Sequence, residues 1–159
     1  MKVLLAVEDP VFGDAIADFV VKHRFPPATE FKVVHTISPV MLDHPMSAYP
    51  LFLESLAKET VKAALELVHH VAGRIKDELP WQAKVLEEIL EGAPVGTIIT
   101  QAKEWAADLI IVGSHGRHGF ERFLIGSVST GIACQAHCSV LVVRLTPGQK
   151  EALSSRRPA

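Results

Sequence analysis

The sequence predicts an α/β fold in which helices cover both faces of a parallel sheet. Short, β-branched apolar runs recur along the chain, and helical patterns separate them. Strands that alternate with helices imply right-handed crossovers, which make the strands parallel. A length of 159 residues, with 48% hydrophobic and 21% charged side chains, suits one domain with a substantial core. We expect this domain over residues 1–145 and a polar tail over 146–159.

Five segments have the composition of buried strands. Each is short, and most are apolar and rich in Val, Ile and Leu, as expected for strands covered on both faces. In chain order, the predicted strands are Lys2–Val7, Phe31–Thr36, Lys84–Ile89, Leu109–Val112 and Val140–Val143.

Helical periodicity fills the intervals between these strands. Apolar residues three or four positions apart mark one face of each predicted helix, and Pro94 stands near the start of the third. The marking residues are Phe12, Ile16, Phe19 and Val20 in the first helix, Ala57, Val61, Ala64, Val68, Val71 and Ile75 in the second, and Val95, Ile98, Ile99, Ala102 and Ala106 in the third. The second helix ends before Pro80, and a short last helix is predicted over Ser127–Ala136.

Charge and composition exclude several classes of function. A formal net charge of −2 provides no general attraction to nucleic acid or to an anionic membrane, so we expect neither as a partner. The apolar run Val3–Val7 is too short for a signal peptide or a membrane span, which favours a cytoplasmic location. The two cysteines, Cys134 and Cys138, are too few to staple a small secreted fold and are expected to be reduced.

One irregular segment, residues 37–48 with the sequence ISPVMLDHPMSA, is long for a loop between a strand and a helix. Two interpretations are open. The segment is either a lid over a binding site or a plain surface excursion.

Glycines cluster behind the fourth predicted strand. In open α/β sheets, ligands bind outside the carboxyl ends of the strands, and Gly113 stands at such an end. Gly113 and Gly116 would let the backbone turn sharply and expose amide donors. Gly126 and Ser127 stand where the last helix begins, with its unpaired N–H groups and the positive end of its dipole. Together they predict a phosphate site built mainly from backbone.

A plainer interpretation of the same residues is also open. Gly113 and Gly116 would be turn glycines, Gly126 would relieve packing, and Ser127 would cap the helix. The spacing is neither that of a P-loop nor that of the dinucleotide pattern G-x-G-x-x-G. The joint spacing of the four positions favours the phosphate site.

These residues resemble a known family. Gly113, Gly116, Gly126 and Ser127 match the ATP-binding signature G-x2-G-x9-G-(S/T) of the universal stress proteins. The resemblance extends to the opening strand, to the VVHTISP segment and to the closing CSVLVVR segment, and so spans Met1–Leu145. It implies a five-stranded parallel sheet of order 3-2-1-4-5, four flanking helices in a three-layer sandwich, and a homodimer formed through the last strand.

The resemblance also implies where ATP would bind, between the carboxyl ends of the first and fourth strands. The phosphates would meet the glycine signature, the adenine would contact Ala6 and Thr36, and Glu8 would meet the ribose. The site residues predicted in this way are Ala6, Glu8, Thr36, Val112, Gly113, Gly116, Arg117, Gly126, Ser127 and Val128. Mg²⁺ or Mn²⁺ is expected to accompany the nucleotide.

Two positions depart from the family pattern. The family commonly has Asp at the end of the first strand and a small hydroxyl residue two positions later, whereas this chain has Glu8 and Pro10. The longer Glu side chain still reaches a ribose, but with a different geometry. Arg117 is either a cation that offsets phosphate charge or part of a solvated loop, and the same two interpretations apply to Arg122.

Other constellations give weaker hypotheses. Ser127, Ser129 and Thr130 would either start the helix or receive a phosphoryl group from ATP. Cys134, His137 and Cys138 are close in sequence, but they lack a fourth zinc ligand and are not expected to hold a metal. His115 has no neighbouring carboxylate to orient it as a general base.

The edge strand Val140–Val143 supports the implied dimer, because an apolar edge invites pairing with another chain unless a helix or the tail covers it. The sequence therefore predicts a cytoplasmic, dimeric, ATP-binding stress-response regulator with slow or no ATP hydrolysis and an unidentified protein partner. Two alternatives stay open. One is an interaction module whose nucleotide site is vestigial, and the other is a nucleotidyl- or phosphoryl-transfer enzyme in which His115 or His118 takes part.

Overall fold

The structure, a computed structural model, describes residues 1–38, 50–114, 125–146 and 148–149, with the backbone alone for residues 50–53. Strands and helices alternate throughout these ranges, as predicted. In chain order they are β1 Lys2–Ala6, α1 Pro10–Lys22, β2 Glu30–Ile37, α2 Pro50–Glu78, β3 Lys84–Glu91, α3 Pro94–Glu104, β4 Leu109–Gly113, α4 Ser127–Gln135 and β5 Ser139–Val143.

The five strands form one parallel sheet of order β3-β2-β1-β4-β5, which confirms the predicted fold. The strand order reverses at β1, because α1 carries the chain to one side of it and α3 carries the chain to the other. The register sets Ala6 of β1 beside Val34 of β2 and Val112 of β4. The carboxyl ends of β1 and β4 therefore meet at the point where ligands bind in sheets of this kind.

Each face of the sheet has its own helical layer and its own core. Val3 and Leu5 of β1 pack with Ile16 of α1 and Val71 of α2 on one face. Leu4 and Ala6 face the other way, because successive side chains of a strand alternate, and pack in the cluster that contains residues of α3 and α4. Of the site residues described below, Ala6, Thr36 and Val112 belong to the face that α3 and α4 cover.

Two helical predictions were wrong in detail. Ala57 and Val61 were assigned to the buried stripe of α2, but both are exposed, and Val61 is 41% exposed. Burial in this stripe begins at Ala64. Ala106 was assigned to the stripe of α3, but α3 ends at Glu104, and Ala106 is an exposed residue with φ 54°.

An ion-pair network joins α1 to α2. The Arg74 guanidinium contacts Asp18 Oδ1 at 2.7 Å, Asp14 Oδ1 at 3.2 Å and Glu78 Oε1 at 2.8 Å. Partial burial acts to raise the pKa of Asp18, but hydrogen bonds from Arg74 and Lys22 outweigh it, so the pKa lies below its usual range. The network thus holds the two helices of this layer together while Asp18 is ionised.

No helix in the described ranges combines the length and the apolar character needed to cross a lipid bilayer.

Candidate functional site

Three predicted site residues line the carboxyl edge of the sheet on the α3/α4 face. Ala6 and Val112 are adjacent in the register and are buried in the core of that face. Thr36 lies two residues beyond Val34, the neighbour of Ala6, so alternation along β2 places it on the same face. The structure therefore brings Ala6, Thr36 and Val112 to one side of the sheet at its carboxyl end.

Gly113 is a glycine because of packing. It is the last residue of β4, beside Val143, and it is not among the described residues with positive φ. A Cβ atom added there would lie 2.6 Å from Cδ1 of Phe12. The expectation that Gly113 supplies a sharp turn is corrected: a side chain is excluded because α1 approaches the end of β4 closely.

No side chain in the part of the chain that the structure describes caps the N-terminus of α4. Gly126 occupies the N-cap position with φ −59° and ψ 157°, and no side chain in the described ranges hydrogen-bonds to the first turn. The first intrahelical bond is donated by Thr130 N to Gly126 O, so the N–H groups of the preceding turn have no partner within the helix. Ser127 is the exposed first residue of the helix, which corrects the interpretation that it is the cap.

A buried hydroxyl fastens the start of α4 to the end of β4. Ser129 Oγ donates to the carbonyl oxygen of Gly113 at 2.6 Å, and Ser129 is 3% exposed. Gly126 N donates to Ser114 O at 2.7 Å, and Ser114 N donates to Val143 O at 2.8 Å. These bonds fix the helix N-terminus at the edge of the sheet. Ser129 is thereby unavailable as a phosphoryl acceptor, whereas Ser127 and Thr130 are exposed.

The segment between β1 and α1 contains two carboxylates, of which Asp9 caps α1 and Glu8 is exposed. Asp9 caps α1, because its Oδ1 accepts from Val11 N and Phe12 N, each at 2.9 Å, and Pro10 is the first helical residue. Glu8 is exposed and makes no hydrogen bond or ion pair within the described part of the chain. Glu8 is therefore the carboxylate at this end of β1 that can meet a ligand.

A histidine in β2 steadies the same segment. Nδ1 of His35 lies 2.8 Å from the carbonyl oxygen of Val7. A carbonyl only accepts hydrogen bonds, so Nδ1 carries the proton in this contact. Sequence analysis missed this role and that of Ser129. The signal for His35 was a histidine within an apolar strand, whereas Ser129 stands among other hydroxyl residues that gave no separate signal.

The side-chain oxygen of Thr36 is buried and lacks a hydrogen-bond partner among the described residues. Thr36 Oγ1 is completely buried and has no hydrogen-bond partner among the described residues. Most buried polar atoms in folded proteins are paired, so an unpaired hydroxyl at this edge is unusual.

Part of the predicted site lies outside the described residues. This applies to Gly116 and Arg117 of the signature, to His115, His118 and Arg122 beside them, and to most of the 37–48 segment and the tail. The described part of the site therefore consists of the strand ends, the β1–α1 segment and the start of α4.

A shallow depression of about 390 Å³ lies beside the site, between the end of β3 and α3. None of the predicted site residues lines it. The lining residues are Glu91, Ala93, Gly96, Thr97, Thr100 and Gln101.

The two thiols have separate environments. Cys134 is exposed on α4, whereas Cys138 precedes β5 and is half-buried, and neither forms a disulfide. Burial raises the pKa of the Cys138 thiol and keeps it protonated. Across the described ranges, no three His, Cys, Asp or Glu side chains are arranged to hold a metal ion.

A family model described as the Universal stress protein family matches residues 1–144. The chain is 34% identical over 141 residues to Universal stress protein MJ0531 of Methanocaldococcus jannaschii, with 85% of this chain and 79% of that protein covered.

Solved structures share the fold at lower sequence identity. The structure of the protein MJ0577 has a TM-score of 0.74 and 23% identity, covering 91% of this chain and 96% of that one. The universal stress protein from Archaeoglobus fulgidus in complex with dAMP has a TM-score of 0.61 and 20% identity, covering 90% and 97%. Two more structures with this fold, at 21% and 14% identity, are complexes with cAMP and with AMP.

Proposed function

The chain belongs to the universal stress protein family, and we propose that it is a cytoplasmic stress-response regulator that binds ATP at the carboxyl edge of its sheet. The observation that carries the proposal is the N-terminus of α4, which no described side chain caps and which Ser129 and Ser114 fasten beside the ends of β1 and β4. Relatives with the same fold that bind dAMP, cAMP and AMP support the ligand class.

The phosphates would be held by the start of α4. Free N–H groups and the positive end of the helix dipole favour an anion at such a place. Gly126 adopts dihedral angles that are open to every residue, so its conformation does not require glycine. A glycine would here allow close approach of a phosphate to the backbone of Gly126, Ser127 and Val128. Gly113, Gly116 and Arg117 complete the proposed phosphate site.

The base and ribose would lie across the strand ends. Ala6 and Val112 offer a small apolar floor on the α3/α4 face, and Thr36 stands beyond them on β2. Glu8 is exposed at the end of β1, where its carboxylate can accept hydrogen bonds from ribose hydroxyls.

Mg²⁺ or Mn²⁺ would accompany ATP and be held mainly by phosphate oxygens and water. The described residues fit this arrangement, because they contain no cluster of acidic ligands that would form a protein-made metal site.

We propose regulation rather than fast catalysis. In the described part of the site, Ser129 is engaged with Gly113, Asp9 caps α1, and His35 bonds to Val7. None of these groups is placed to activate water, so any ATP hydrolysis would be slow.

Binding of MgATP, followed by isothermal titration calorimetry, tests the proposal. Gly126→Asp would place a carboxylate over the N–H groups that the phosphates need, so we expect MgATP binding to be lost while the fold is retained. Gly96→Asp is the matched control. It adds the same charge in the first turn of α3, where a Cβ atom meets nothing within 4 Å, and it should bind MgATP like the wild type.

The two possible failures differ. If Gly126→Asp binds MgATP like the wild type, the helix N-terminus is not the phosphate site. If the wild type binds no MgATP at millimolar concentration, the site is vestigial and the interaction-module alternative replaces this proposal.

We also propose a homodimer through β5. Val143 O accepts from Ser114, so the alternation of backbone groups turns the N–H and C=O of Leu141 toward β4 and those of Val140 and Val142 toward the open edge. An edge strand with unpaired backbone groups and apolar side chains is a template for pairing with a second copy.

A further inference from the structure

The backbone pairing of β1 with β2 ends at a hydrogen bond from a side chain. Val34 is the last residue of β2 in register with β1, and its carbonyl oxygen accepts from Val7 N at 2.9 Å. The next bond of a parallel ladder would join Thr36 N to Val7 O. Among the described residues, the hydrogen bond to Val7 O comes instead from Nδ1 of His35, 2.8 Å away. The imidazole therefore holds the backbone at the point where the two strands stop pairing.

This contact fixes the peptide group that leads into Glu8. The carbonyl of Val7 and the N–H of Glu8 belong to one planar unit, so a hydrogen bond to the carbonyl sets the orientation of both. The Val7 side chain is 4% exposed in the core of the α1/α2 face. On the other side of Glu8, Asp9 is fixed because its Oδ1 accepts from Val11 N and Phe12 N. Glu8 thus has fixed backbone on both sides, while its own side chain is exposed.

We propose that His35 is a positioning residue for the nucleotide, because its hydrogen bond to Val7 holds Glu8 where the carboxylate meets the ribose. This inference rests on the proposed function, which supplies the ligand and its contact with Glu8. Phe31 and Val33 belong to the core of the α1/α2 face, so alternation along β2 places His35 on that face, opposite the proposed base site. The histidine would therefore act through the backbone of the β1–α1 segment. A carboxylate that is already held in place loses less conformational freedom when the ligand binds.

The test compares two replacements of the histidine. His35→Phe keeps an aromatic ring but has no N–H, whereas His35→Asn places an amide N–H near the position of Nδ1. Isothermal titration calorimetry measures the affinity for MgATP and for the dideoxy analogue of ATP, which lacks both ribose hydroxyls. We expect His35→Phe to weaken MgATP binding about 3- to 10-fold, the value of one neutral hydrogen bond. His35→Asn should bind MgATP within about twofold of the wild type.

Two further measurements distinguish positioning from a general loss of stability. The dideoxy analogue should bind His35→Phe and the wild type equally, because it has no ribose hydroxyl for Glu8 to contact. Glu8→Ala should weaken MgATP binding, and the addition of His35→Phe to it should cause no further loss, because the side chain that the histidine positions is absent. His35→Leu serves as a second variant without the N–H and should behave like His35→Phe.

Four results would overturn the inference. The first is unchanged MgATP affinity in His35→Phe and His35→Leu, and the second is an equal loss of affinity for MgATP and the dideoxy analogue. The third is a loss in His35→Asn as large as in His35→Phe, because the hydrogen bond would then not be the cause. The fourth is a wild type that binds both nucleotides equally, because Glu8 would then not contact the ribose.

All four results leave the proposed function intact, because in each of them the wild type binds MgATP. If the wild type binds neither nucleotide, the proposed function fails and this inference fails with it.

Discussion

Ala106 ends α3 in a conformation that favours glycine. Its φ is 54°, its N–H donates to Lys103 O, and Ala107 N donates to Ala102 O at 2.8 Å. These two bonds make a Schellman motif, in which the left-handed position is usually glycine because a Cβ atom is strained there.

Ala106→Gly is therefore expected to raise the free energy of unfolding by about 0.5–1 kcal/mol, as measured by urea denaturation at an unchanged m-value. Ala63→Gly is the matched control, because Ala63 is exposed within α2 and its replacement should lower stability by about 1 kcal/mol. Destabilisation in both variants would show that the left-handed conformation of Ala106 carries no strain.

At the candidate site, the spacing of residues in the sequence predicted those roles that depend only on nearby residues of the chain. Gly126 and Ser127 were predicted at the start of a helix, and the structure places them there. The roles of Ser129 and His35 were not predictable, because their partners, Gly113 and Val7, are 16 and 28 residues away. Local sequence does not specify pairing over such separations.

On the scale of whole elements, α1 and α2 are joined by charge as well as by their apolar faces. The lowered pKa of Asp18 means that folding favours its ionised form. A carboxylate of this kind contributes stability above its unfolded pKa, about 4, and that contribution is lost as the pH falls toward its lower folded value.

Arg74→Met should lower the free energy of unfolding by about 1 kcal/mol at pH 7, because the network loses its cation. As the pH falls below about 4, the difference from the wild type should shrink, because protonation of Asp18 removes the contact in the wild type as well. Urea denaturation at several pH values measures this difference. Identical pH dependence of the two proteins would exclude Asp18 as the group responsible.

The apolar pattern of α2 showed which face is buried but not where burial begins. Its 29 residues extend about 43 Å, whereas the 8 residues of β3 extend about 26 Å, so the helix is longer than the sheet that it covers. Residues 54–63 are all exposed, and the buried stripe begins at Ala64. The length of the sheet is a property of other segments, so helical periodicity alone could not locate this boundary.

For the whole molecule, the alternation of strands and helices was sufficient to predict a parallel sheet with two helical layers. The order β3-β2-β1-β4-β5 was implied by the family resemblance, because alternation alone does not fix where the strand order reverses. This reversal brings the ends of β1 and β4 together, and so it determines the location of the proposed nucleotide site.

The same strand order leaves β5 at an edge of the sheet, and its outward backbone groups make the proposed dimer testable. The Val142 N–H points away from β4, so Val142→Pro removes a donor that none of the described residues uses. We expect the wild type to be a dimer and Val142→Pro to be a monomer by native mass spectrometry and light scattering. Val142→Ala, which shortens the side chain but keeps the N–H, should remain a dimer. Pairing along β5 requires the N–H group that proline lacks, so a dimeric Val142→Pro variant would place the interface elsewhere. A monomeric wild type would show that the proposed dimer does not form.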